Sequence, residues 1–387
     1  MSSVLGTYAR KAISFTKGEG SFLYTEKGDK YLDWIAGIAT NILGHCHPHV
    51  SKAIQDQSKK LIHVSNAVII KEAESLAKRI TDNTFADKVF FCNSGAESVE
   101  GAIKIVRRYF HTIGKPEKNR LVSFSGAFHG RTLAALFLAN NKSHTEGFGP
   151  KVDGFDQVPF GDHEALKKAI NINTAAIICE PVQGEGGVKV VPDYCLKGLR
   201  EICDEHGILL VFDSIQVSFR AGTLLGFENS GISPDICCVA KGFGNGFPIG
   251  AILLTNEVAK GMTHGSHGST FGNNLLACAA AHAVLDIVLA TGFFEEVKTK
   301  GKYFDNELKK LKDSFPNMIE EVRGINFIKG LKLKVDVGDF MSKLMKNKLL
   351  VVKAAENCIR LFPSLLSTTD ELDMGIKIIK KTCEEMS

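Results

Sequence analysis

A lysine, Lys241, closes the apolar run 236–240 and opens a turn that carries Gly242, Gly244 and Gly246. A solvated surface charge does not explain that placement. An ammonium withdrawn from water gives up its proton more readily, and the neutral amine then attacks aldehydes. The glycines let a ligand or another backbone come close. A second apolar run, 208–212, ends in Asp213. A carboxylate at such a tip is costly unless it meets a cation or several donors. A protonated pyridine nitrogen is one such cation; taken alone, a helix cap or a surface ion pair explains Asp213 more simply. A third run, Lys88–Cys92, leads into Asn93-Ser94-Gly95-Ala96-Glu97. A helix opened by glycine offers free backbone N–H groups to a phosphate. Ser94 is read equally well as a plain cap.

Other residues add to this set. Arg120–Phe124 is followed by Ser125-Gly126-Ala127-Phe128-His129-Gly130-Arg131. Phe128 could stack on a flat heteroaromatic ring, and Arg131 could clamp a carboxylate with two hydrogen bonds. Packing and a surface ion pair are the alternatives. Glu180 and Glu185 fall in Glu180-Pro181-Val182-Gln183-Gly184-Glu185-Gly186-Gly187. A tight glycine turn accounts for their spacing without assigning either a role.

Three motifs point elsewhere and are set aside. His45-Cys46-His47-Pro48-His49 would send three imidazoles to one side of an extended segment. It has no carboxylate nearby in sequence and a proline that starts the next helix, so a structural turn is favoured over zinc. Gly242-x-Gly244-x-Gly246 has the wrong spacing for a dinucleotide loop. His264, His267 and Ser269 lie in a glycine-rich run, but the chain contains no G-x-S-x-G elbow.

The elements that must position these residues alternate along the chain. Amphipathic helical stretches such as 50–61 and 96–110 separate short apolar runs at 88–92, 120–124, 175–179, 208–212, 236–240 and 251–255. Strands apolar on both faces belong in a mostly parallel sheet covered by helices, which predicts a doubly wound α/β fold. Before it, 21–25 and 30–34 read as strands around Lys27-Gly28-Asp29. After Phe293 the texture becomes α+β. A Lys/Glu-rich helix at 295–315 precedes strands at 318–323, 327–334, 349–352 and 358–362. A last helix is capped by Thr369 or Asp370. Length favours one large and one smaller domain. The expected division is an N-terminal segment 1–47 that packs with the small domain, a large α/β domain 48–283 and a small α+β domain 284–387.

Composition narrows the function classes. With 47 basic and 43 acidic side chains the formal charge is +4. That near-balance gives no case for nucleic acid or a membrane as partner. The ten cysteines include no C-x-x-C pair, and Cys179, Cys237, Cys238 and Cys278 sit in apolar runs, as expected in a reducing cytoplasm. Met1 to Phe15 shows no apolar signal core. The longest apolar stretch, 275–294, is broken by His282 and Asp286 and reads as a buried helix rather than a span.

Together the segments resemble the class III (subgroup II, ω-amino-acid) aminotransferases of fold type I, from about Lys17 to the end of the chain. The matching pieces occur in order: Leu43-Gly44-His45-Cys46-His47-Pro48, Asn93 to Glu97, Ala127 to Arg131, Glu180 to Gly187, Asp213 with Gln216, Ala240-Lys241-Gly242, and Gly265-Ser266-His267-Gly268-Ser269-Thr270-Phe271-Gly272. The resemblance is greatest to the family's acetylornithine branch. It implies a fold type I transferase that uses pyridoxal 5′-phosphate. Lys241 would hold the cofactor aldehyde, Asp213 the pyridinium nitrogen and Gln216 the ring hydroxyl side. Ser94, Gly95 and Ala96 would bind phosphate, and Phe128 would cover the ring. Thr270 would reach the phosphate of a neighbouring subunit, which implies a homodimer. Arg131, Ser269 and Arg360 would bind substrate, with Glu185 masking Arg360 while the donor is bound. The implied reaction passes the terminal amine of N2-acetyl-L-ornithine to 2-oxoglutarate, in arginine biosynthesis. Other ω-amine donors and a cofactor-binding protein with little turnover remain open.

The chain also departs from the family pattern. Asp-Glu-Val-Gln reads Asp213-Ser214-Ile215-Gln216, and Gly-x-Gly-Arg-Thr-Gly shrinks to Ser218-Phe219-Arg220-Ala221-Gly222. Asn273-Asn274-Leu275 replaces Gly-Asn-Pro. These changes touch loops rather than the residues proposed to do chemistry.

Overall fold

The computed structural model describes residues 3–387; Met1 and Ser2, which open the stretch read for a targeting signal, lie outside them. Its centre is a seven-stranded sheet. Across the sheet the order is Lys88–Cys92, Gly250–Leu254, Ile236–Val239, Leu209–Asp213, Thr174–Cys179, Arg120–Phe124 and Phe155–Val158. Only Gly250–Leu254 runs against its neighbours. Every residue of Thr174–Cys179, Leu209–Asp213 and Ile236–Val239 is buried. Helices cover both faces, so these strands carry apolar side chains on each side. The helix Gly95–Thr112 buries Val99, Ala102, Ile103, Val106 and Phe110, at helical spacing, against this sheet. Each fully buried large apolar side chain is worth about 1.5–3 kcal/mol relative to exposure.

Two four-stranded sheets flank this centre. One pairs Lys17–Glu19, Phe22–Tyr24 and Lys30–Asp33 with the late strand Leu349–Leu350. The other holds Ile319–Ile325, Ile328–Leu333, Cys358–Leu361 and Val352–Ala354. The apolar run 349–352 is therefore not one strand. The chain leaves one sheet at Leu350 and enters the other at Val352.

Four further departures from the sequence reading have physical causes. The edge strand Phe155–Val158 is masked by Asp156 and Gln157, and Arg120 pairs with Asp156 at 2.8 Å across the edge. The helix Val337–Lys346 is capped by Asp336, which accepts from Asp339 N–H at 2.9 Å. The last helix, Thr369–Met386, is capped by Thr368 rather than Thr369 or Asp370. Thr368 and Glu371 close a reciprocal capping box, so the cap lies one residue earlier than expected. The stretch 275–294 breaks at Gly292, φ 86°, into the helices Leu275–Val288 and Phe293–Ser314. Among the described residues no single helix is long and apolar enough to cross a membrane.

Candidate active site

The C-terminal ends of the parallel strands open onto a cavity of about 400 Å³, the place where open α/β sheets bind ligands. Its wall includes Ser94, Gly95 and Ala96 at a helix start, Phe128 and Arg131 from the turn after Arg120–Phe124, and Asp213, Gln216 and Lys241. Ser94 caps the helix by accepting from Glu97 N–H at 3.2 Å. The first-turn N–H groups of Gly95 and Ala96 have no acceptor within the helix, and both residues line the cavity. Arg131 lies over the Phe128 ring at 5.2 Å.

Lys241 follows the buried strand Ile236–Val239 and is held at φ 46°, a left-handed conformation costly for a lysine. Burial, and then the charge of Arg360, push its amine down to about 8; Glu185, Asp213 and Glu180 pull the other way. Asp213 is the last residue of Leu209–Asp213. Its Oδ1 accepts from Ile215 N–H at 3.2 Å, and its Oδ2 lies 2.9 Å from His129 Nδ1. Among the described residues no lysine or arginine makes an ion pair with it.

Beyond the cavity wall, Arg360 is 2% exposed. Its Nη1 and Nη2 donate to Glu185 Oε1 and Oε2 at 2.6 and 2.9 Å. Nη1 also donates to Gln216 Oε1 at 3.2 Å, and Nη2 to Lys353 C=O at 2.8 Å. Glu185 sits on a turn between Gly184 and Gly186. A methyl group at Gly184 would stand 1.7 Å from Gln216 Oε1, so only glycine leaves Gln216 where it is.

A buried lysine of lowered basicity, an acid lacking a cation and a helix start thus share one cavity. The family model for class-III aminotransferases matches residues 7–383. The chain belongs to that family.

As a class-III aminotransferase it takes pyridoxal 5′-phosphate as cofactor. It is 49% identical over 382 residues to the acetylornithine aminotransferase of Agrobacterium fabrum, covering 98% of this chain and 96% of the relative. The acetylornithine aminotransferase of Methanocaldococcus jannaschii is 40% identical over 383 residues, covering 99% and 96%. Among solved structures it is similar to the ornithine aminotransferase of Toxoplasma gondii. The TM-score is 0.95 at 29% identity, covering 99% and 93% of the two chains. The acetylornithine aminotransferase of Elizabethkingia anophelis gives 0.88 at 30%, covering 98% and 96%.

The cavity of this aminotransferase suits that cofactor on its own evidence. Asp213 lacks the cation that a pyridinium would supply, and the helix start presents donors for a phosphate. Ser269 and Thr270 are not in the wall. Ser269 Oγ accepts from Asn93 Nδ2 at 3.1 Å and from Gly272 N–H at 3.0 Å, while Thr270 is exposed. The histidines of the 45–49 segment disperse. His45 pairs with Asp33 at 2.8 Å and His49 with Asp286 at 2.7 Å. Sequence reasoning gave no role to two wall residues, Glu180 and His129. Glu180 had a signal: like Asp213, it follows a fully apolar strand.

Proposed function

We propose that this aminotransferase passes the terminal amine of N2-acetyl-L-ornithine to 2-oxoglutarate, giving N-acetyl-L-glutamate 5-semialdehyde and L-glutamate. That reaction would place it in arginine biosynthesis. The observation that carries the reading is the two-pronged Glu185–Arg360 pair. One site must accept a donor whose reacting carbon bears no carboxylate and then an acceptor whose reacting carbon bears one. A cation that can be covered by a carboxylate on a glycine-flanked turn meets both demands. Similarity to the acetylornithine aminotransferases of Agrobacterium fabrum and Methanocaldococcus jannaschii supports the same donor.

The bound cofactor supplies a ring that takes up the electron pair left when the donor carbon loses its proton. The chain's residues do the rest. Gly95 and Ala96 N–H groups, beside the cap Ser94, hold the phosphate. Phe128 would cover the ring face, Gln216 would meet its hydroxyl side, and the Asp213 carboxylate would face its nitrogen. Lys241 would hold the cofactor's aldehyde, which the donor's amine would take over. Its Nζ, neutral more readily than an ordinary lysine's, would then take the proton from the amine-bearing carbon and pass it to the cofactor carbon that carried the aldehyde. Arg131, in the cavity wall, takes part in binding the donor. Arg360 binds the acceptor's α-carboxylate once Glu185 has swung aside.

The protein works as a homodimer in this reading. Thr270 is exposed and outside its own cavity, which fits a residue that completes a neighbour's site. Leu61, Ile62, Val68, Ile69 and Phe271 are exposed large apolar side chains, and His63 against Phe271 at 5.1 Å joins their two segments. A second copy would cover them. Its ten cysteines are all unpaired, as suits the cytoplasm. Single-turnover assays with acetylornithine and ornithine side by side test the donor. The reading requires acetylornithine to win in kcat/KM, and preference for ornithine would overturn it.

A further inference from the structure

Asp213 and His129 are joined by a hydrogen bond that is buried on both sides. The residues are 4% and 2% exposed, with Nδ1 to Oδ2 at 2.9 Å. They come from different parts of the fold, Asp213 from the end of its strand and His129 from the turn after Arg120–Phe124. Nε2 of His129 is buried and has no partner among the described residues. A ring protonated on Nε2 alone would leave that N–H unsatisfied and face Asp213 with a lone pair, so Nδ1 carries the proton that bonds Asp213. Glu180 faces the same cavity from the end of Thr174–Cys179, and Phe128 N–H donates to its Oε1 at 2.8 Å. Burial, and then the charge of Asp213, hold Glu180 well above the usual carboxylate range; Phe128 N–H and Lys241 oppose this, while Glu185 adds to it. Glu180 thus takes its hydrogen bond from a backbone N–H, and of the two carboxyls only Asp213 has a side-chain donor among the described residues.

We propose that His129 is a positioning residue, whose Nδ1–H holds the Asp213 carboxylate in place and presents it to the cofactor's ring nitrogen. This rests on the reading of Asp213 as the partner of that nitrogen.

Variants at position 129 separate the donor from the packing. Asparagine can place Nδ2 where Nδ1 stands, whereas leucine fills space without a donor. Apo-protein is titrated with pyridoxal 5′-phosphate by calorimetry. His129→Leu weakens binding about 10- to 100-fold, the range of one hydrogen bond to a charged group. His129→Asn stays within about threefold, and the apo-protein Tm is alike in both variants. Wild-type binding by His129→Leu overturns the proposal, and so does equal loss in both variants with a lowered Tm. Nitrogen-15 NMR of the wild-type protein provides a reading that needs no variant to fold. A ring protonated on Nδ1 is expected; an Nε2–H tautomer with a bare Nδ1 overturns the proposal. Asp213→Asn is the reference. If it binds the cofactor as wild type does, the ring-nitrogen reading of Asp213 itself is what fails.

Discussion

Glu185 grips Arg360 with both carboxylate oxygens, at 2.6 and 2.9 Å, although the two residues stand 175 positions apart in the chain. The arginine is buried and the glutamate about one-third exposed, 2% against 32% for the side chains. Of the two, only the acid borders solvent, so it is the partner with room to withdraw.

Removing the arginine separates the two half-reactions. Arg360→Ala should cost the 2-oxoglutarate half-reaction about 10- to 100-fold more in kcat/KM than the acetylornithine half-reaction, the range expected when a charged hydrogen-bonding partner is lost. Single-turnover absorbance of each half-reaction measures it. Equal losses would mean that Arg360 does not distinguish the substrates.

The lowered basicity of Lys241 has a pH signature. With its amine near 8 rather than the ordinary 10.5, the neutral fraction rises about tenfold from about pH 7 to pH 9 and then levels off. Cofactor uptake by apo-protein should follow that curve when monitored by stopped-flow absorbance. A rate that keeps climbing beyond about pH 10 would mark an unperturbed lysine. The sign for stability follows. Between those two values the unfolded chain holds a proton that the folded chain has lost, so this residue makes apo-protein stability rise with pH there.

Gly184 makes a steric prediction. Its place against Gln216 leaves no room for a methyl group, and Gln216 in turn touches Arg360. Gly184→Ala should fold, yet lower kcat/KM for 2-oxoglutarate about tenfold or more, the usual scale of an overpacked contact. Unchanged kinetics would show that the Gln216 position is not needed.

Shared sites can be tested by mixing two inactive chains. Lys241→Ala and Thr270→Asp should each be nearly inactive alone. After co-refolding, half of the dimers are hybrids, and each hybrid carries one whole site, so roughly a quarter of wild-type turnover returns. No recovery would remove Thr270 from the neighbour's site.

Much of this site was legible because its key residues break a local pattern. Asp213 and Lys241 each end a buried apolar strand, where a charge is conspicuous. The Glu185–Arg360 pair was legible only through family resemblance, since nothing near Arg360 in sequence points to Glu185. Glu180 breaks the same pattern as Asp213, but its glycine-rich turn offered a sufficient local explanation. His129 meets Asp213 from 84 residues away, and no local spacing signals such a contact. The fold shows the same division. Central strands stand out by their continuous apolar runs, whereas the edge strand Phe155–Val158 is half polar and the 349–354 segment changes sheets at one residue.

Borohydride reduction of the cofactor-loaded protein, followed by peptide mass spectrometry, tests the central claim most directly. A reduced pyridoxyl-phosphate adduct on Lys241, absent from Lys241→Ala, is the predicted result. An adduct on another lysine, or none on a protein that is loaded and active, would contradict the account.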